Sequence, residues 1–95
     1  MTNLHTEHPS ERKWQIQLFD NEHCVGTAVV IRDYLDDIMV YPPYRHHGYA
    51  QTLLSACREH GARVAIVVSD SGRRLFAAAG WQPRVGARFE FPTQD

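Results

Sequence analysis

The stretch of this chain best suited to chemistry is Arg45-His46-His47-Gly48-Tyr49-Ala50. It follows Val40-Tyr41-Pro42-Pro43, where an extended run must stop because proline cannot continue a ladder. It leads directly into an amphipathic helix. The first N–H groups of a helix have no internal partners, and the aligned peptide dipoles add partial positive charge there. Such an end suits an anion, phosphate or pyrophosphate above all. The N–H groups from His46 to Ala50 are expected to cradle it, as oriented loop amides do. Gly48 lets the backbone come close. Each charge contact at a helix end contributes about 0.3–1 kcal/mol, so several together hold a polyanion firmly.

The other reactive side chains point to less. His46 and His47 are adjacent and do not converge on one ion; they read as loop residues offering their backbone. His5, His8, His23 and His60 have no carboxylate or cysteine partner at ligand spacing, so no metal site is expected. Cys57 falls on an apolar helix face and reads as core, while Cys24 falls in a turn; the pair makes no disulfide framework. Arg73 and Arg74 lie on a second helix, where they either reach a phosphate or form a solvated face.

The elements that must position the loop follow from periodicity. Residues 1–12 have few apolar positions and read as a flexible N-terminal tail, leaving 13–95 as one domain. Trp14, Ile16 and Leu18 alternate with Gln15 and Gln17, which predicts a strand with one buried face. Turn residues at 20–23 lead to a β-branched run over 26–31, its hairpin partner. A third strand covers 35–40. Gly48 to His60 carries Tyr49, Leu53 and Cys57 on one stripe and ends at Gly61, a helix. Val64 to Val68 is continuously apolar and reads as a strand buried on both faces. A second helix covers about 72–79, with Ser69, Asp70 or Ser71 as cap and Gly80 as stop. Val85 to Phe91 alternates as a last strand. The expected fold is therefore α/β (α+β), a single domain with a mixed central sheet in the order β-β-β-α-β-α-β.

Ninety-five residues at 43% hydrophobic and 22% charged make one small globular domain. A net charge of −1 supplies no global field toward nucleic acid or membrane. Arg45, Arg73, Arg74, Arg84 and Arg88 lack the interleaved aromatics of a nucleic-acid surface. No apolar run is long enough to span a bilayer, and the polar, His-rich start is not a secretory leader. The expectation is a cytoplasmic protein with no nucleic-acid or membrane partner.

With its flanking strand and helix, the motif resembles that of the GNAT superfamily of acyl-CoA-dependent N-acyltransferases. That family's signature is Arg/Gln-x-x-Gly-x-Gly/Ala after a strand ending in Val-x-Pro. A second motif, an Asn-led helix ending in aromatic-x-x-x-Gly-Phe, is matched loosely by Ser69 to Trp81. The resemblance covers roughly residues 14–91. It implies an acetyl-CoA (CoA) site formed by Ile38, Met39, Val40, Arg45, His46, His47, Gly48, Tyr49, Ala50, Gln51, Ser69, Arg73 and Phe76. The pyrophosphate would lie on the loop and the pantetheine arm between the strand edges Ile38–Val40 and Ala65–Val68. The Val40 N–H would polarise the thioester carbonyl. Asp36 or Asp37 would take the amine's proton, strand alternation sending one of them to each face.

The chain departs from the family pattern in two ways. The Tyr that commonly stands four residues before the second motif's Gly, and protonates the departing thiolate, is Phe76 here; Ser69 replaces the usual Asn. A water, Ser69 or Tyr44 would then serve as acid. The chain also reads as a minimal form lacking the family's N-terminal strand and two helices, which leaves the acceptor side open or closed by a second copy, a homodimer. Two functions fit: an N-acetyltransferase transferring acetyl from acetyl-CoA to a protein, peptide or small-molecule amine in a ternary complex, or a weak or inactive CoA-binding module acting as a sensor or subunit.

Overall fold

The computed structural model describes residues 1–92, so the last three positions of the expected 13–95 domain lie outside it. The strands are Thr2–Ser10 (β1), Lys13–Asp20 (β2), His23–Ile31 (β3), Tyr34–Val40 (β4), Val64–Ile66 (β5), Gln82–Pro83 (β6) and Arg88–Glu90 (β7). The helices are Tyr49–Glu59 (α1) and Asp70–Ala78 (α2), and Pro42–Tyr44 forms a short 3-10 turn. The strands make a seven-stranded mixed sheet in the order β1-β2-β3-β4-β5-β7-β6, with β4 and β5 parallel and every other pair antiparallel.

Three expectations are corrected. Residues 1–12 are not a tail, because β1 pairs with β2 from Thr2↔Asp20 to Ser10↔Lys13. Every β1 residue is exposed, so no buried face imposed an alternation that could be read. Pro9 falls where the register shifts between Glu7 and Ser10, at an edge that tolerates a missing N–H. A strand therefore does precede β2, and a two-residue turn, Glu11-Arg12, joins them without a helix. Next, 85–91 is not one strand: β6 and β7 form a hairpin, and Val85, 94% exposed, sits in its turn. Finally, 64–68 is buried on one face only. Ala65 and Val67 are buried, whereas Ile66 is 52% and Val68 82% exposed. The expected order thus lacks β1 at one end and divides the last strand at the other.

One face of the sheet carries the core. Ile16, Leu18, Ala28, Val30, Leu35, Ala65 and Phe89 pack against Leu53, Leu54, Ala56 and Cys57 of α1 and Phe76 of α2. Gly26 allows α1 to lie close: a Cβ there would stand 2.8 Å from Leu53 Cδ1 and 2.6 Å from the Met39 carbonyl. The other face, with Gln15, Gln17, Thr27 and Val29, has no helix on it among the described residues. Trp14 ties the edge to the helix. Its ring stacks on His8 at 3.9 Å and meets His60, the α1 cap, at 4.4 Å.

Candidate active site

The β4–β5 joint opens the site. These strands pair only at Tyr34↔Val64 and Leu35↔Ala65, then diverge. Backbone N–H directions alternate along a strand. The Tyr41 N–H donates to the Val25 carbonyl on β3 (2.9 Å), so those of Val40 and Ile38 point the other way, into the gap. Across it, the Val67 N–H donates to Ala87 (2.8 Å), so the Ile66 N–H turns toward β4, where the Leu35↔Ala65 rung, the last of the seam, takes it. Beyond that rung, the Ile38 and Val40 N–H groups edge the gap on the β4 side. It widens into a cleft of about 720 Å³ lined by β4, β5, the loop after β4 and the start of α2.

The loop closes one end of the cleft. His46 and Gly48 both have positive φ, +68° and +80°. That turn brings the chain into α1 with no side-chain cap. Among the described residues, the N–H groups of His46 to Gln51 donate to no protein acceptor; the first that does is Thr52, to the Gly48 carbonyl. A Cβ on Gly48 would meet nothing within 4 Å, so glycine is required there by its φ, and the space before the loop is open. Arg45 Nε donates to the Val40 carbonyl at 3.2 Å and holds the loop against the strand end.

The structure brings Asp36, Asp37, Ile38, Met39, Val40, Arg45, His46, Ala50, Ser69 and Phe76 together in the cleft lining. His47, Gly48, Tyr49, Gln51 and Arg73 do not line it. Gln51 donates to the Leu75 carbonyl (3.3 Å) and clamps α1 to α2. Arg73 lies over the Phe89 ring at 5.5 Å. Tyr49 donates its hydroxyl to Asp20. That bond holds the Asp20 carboxyl below its usual range, with the chain's amino terminus adding to the effect, and raises the Tyr49 phenol. Sequence reasoning missed Asp20, whose position among turn residues gave no signal. It also missed Ser71, Gly72 and Leu75 in the lining. The signal for Gly72 was its spacing from the cap, since the Ser69 Oγ accepts the Gly72 N–H at 3.1 Å.

Strand alternation misplaced the carboxylates. Val29 pairs with Asp37 but Val30 pairs with Leu35, so Asp36 is the extra residue of a β-bulge. Instead of dividing between two faces, Asp36 and Asp37 are both exposed and both line the cleft. The bulge also resets the phase, so Ile38 and Val40 pack toward the core as Leu35 does. Phe76, 2% exposed, meets Trp81 edge-on at 5.0 Å and forms part of the cleft wall. The described residues hold no group of three His, Cys, Asp or Glu able to bind a metal, and no helix long and apolar enough to cross a membrane.

A mixed sheet parted beside a strand–loop–helix with free amides is the architecture of an acyl-CoA-dependent transferase, and sequence comparison agrees. The model of the Acetyltransferase (GNAT) family matches residues 2–80, and the chain belongs to that family. No curated protein sequence matches it. Among solved structures it is similar to AAC(6')-Iy in complex with the bisubstrate analogue CoA-S-monomethyl-acetylneamine, with TM-score 0.74 and 14% identity over 87% of this chain and 92% of that one. A Klebsiella pneumoniae subsp. pneumoniae MGH 78578 protein, assigned provisionally as an acyl-CoA N-acyltransferase, gives TM-score 0.78 and 11% identity over 97% of each chain. The Escherichia coli ribosomal-protein-S18-alanine N-acetyltransferase gives TM-score 0.70 and 17% identity over 90% of this chain and 80% of that one.

Proposed function

We propose that the protein is an N-acetyltransferase that moves the acetyl group of acetyl-CoA to an amine in a ternary complex. The observation that carries this reading is the continuity of the β4–β5 gap with the loop's unpartnered amides. The amides of residues 46–51, with Arg45, receive the pyrophosphate. The free N–H groups of Ile38 and Val40 match the amides of the pantetheine arm, and Phe76 packs beside it. The Val40 N–H faces the thioester carbonyl and stabilises the oxyanion. The amine lone pair forms the new C–N bond, the C–S bond breaks, and the sulfur leaves with the electron pair. Asp36 or Asp37 carries the amine's proton to solvent. With phenylalanine at position 76, water or Ser69 returns a proton to the thiolate; Tyr44 lies outside the cleft lining. A homodimer covering the open acceptor side belongs to the same reading and is tested by sedimentation.

Phe76 also favours a second reading, a CoA-binding module with little or no activity. Calorimetric titration with acetyl-CoA, beside a Gly48→Glu control, tests what the two share. Saturable binding abolished by the control is expected; no binding by the intact protein would sink both readings.

A further inference from the structure

The two ends of the cleft carry opposite electrical character. The loop end offers Arg45 and a helix N-terminus. The other end offers Asp36 and Asp37, both exposed and, among the described residues, without an ion-pair partner. The same cleft lining carries exposed apolar side chains, Met39, Ile66 and Val68, which are 46%, 52% and 82% exposed and form an apolar strip. An ammonium group suits the carboxylates, and an apolar group beside it would dehydrate the strip.

The cleft is also poorly equipped to deprotonate a strong base. No buried residue among those described is polar or charged, so the cleft holds no carboxylate shielded from water to serve as the base. The acceptor must then bring much of its own neutral form. At pH 7 about one in ten peptide α-amines is neutral, against roughly one in 2,500 lysine side chains.

We infer that the acceptor is the α-amine of a peptide beginning with an apolar residue, its ammonium meeting Asp36 and Asp37 and its first side chain lying on Met39, Ile66 and Val68. This rests on the transferase reading above. An aminoglycoside, a polyhydroxylated polycation, would leave the apolar strip wet.

The test compares acetyl transfer by the full chain to four acceptors: a leucyl-peptide, the same peptide starting with glycine, an Nα-blocked lysyl-peptide, and leucinamide. Acetyl-CoA binding is measured alongside by calorimetry. The leucyl-peptide is expected to exceed the glycyl-peptide about tenfold in kcat/KM, in line with small pocket differences. In Ile66→Ser and Val68→Ser that ratio should fall toward one; being a ratio, it is insensitive to partial loss of folded protein. Equal use of leucyl and glycyl starts, faster transfer to the lysyl-peptide, or leucinamide outrunning the peptide each overturns the inference while the transferase reading stands. Transfer to none of the four, with acetyl-CoA still bound, also overturns it and favours the module. Absence of acetyl-CoA binding overturns both.

Discussion

At the scale of single residues, the site depends on a few positions where one atom decides. Gly48 is one. Its φ of +80° makes Gly48→Ala costly by about 1 kcal/mol through backbone strain alone, since no neighbour crowds a Cβ there. Gly48→Glu should lose acetyl-CoA binding beyond that cost, a difference calorimetry separates from the fall in Tm. Phe76 is another. Phe76→Tyr adds an acidic proton on the cleft wall and should raise kcat at least tenfold, within the range a general acid supplies; an unchanged rate would mean that thiolate departure does not limit turnover. The cysteines differ in the same local way. Burial pushes the Cys57 thiol up to about 12, and Cys24 is half-exposed, so a thiol reagent should modify Cys24 alone in the native protein. At this scale the loop–helix junction was legible, because Pro42 and Pro43 stop the strand and the apolar stripe of α1 begins at Tyr49. The bulge at Asp36 was not, since inserting one residue into a ladder leaves no mark on the apolar pattern.

Elements were legible in proportion to how one-sided their burial is. The strands β2 and β3 and the helix α1 each bury one face and could be read directly. The strand β1 buries none, and Val85 is apolar yet fully in solvent, so the same reasoning failed at both ends of the chain. The placement of α1 rests on two contacts that no periodicity reveals. Gly26→Ala would force Leu53 and the Met39 carbonyl away and should cost about 1–3 kcal/mol, read by urea unfolding. The Tyr49–Asp20 bond anchors the first turn of α1 to the β2–β3 turn. Because the folded Asp20 carboxyl is held low, its contribution is present above the unfolded value near 3.9 and lost as pH falls through the folded one. The raised Tyr49 phenol contributes below the unfolded value near 10, and that part is lost as pH rises through the folded value. Tyr49→Phe should therefore flatten the pH dependence of Tm at both extremes.

For the whole molecule, the parted sheet has a kinetic consequence. The strands β1 to β4 are successive neighbours, so their pairings close short loops. The β5–β7–β6 half joins them only after the chain has returned through α1 to set Val64 beside Tyr34, and just two residue pairs then form the seam. Closing that longer loop must be paid for before the contacts it makes can repay it. The meander should thus assemble first and the seam last, with the Ile38 and Val40 amides exchanging hydrogen quickly although they sit in mid-sheet. A ligand that spans the seam would act as its missing rungs, slowing unfolding of the late half most and turning amide exchange at Ile38 and Val40 into a clock for occupancy.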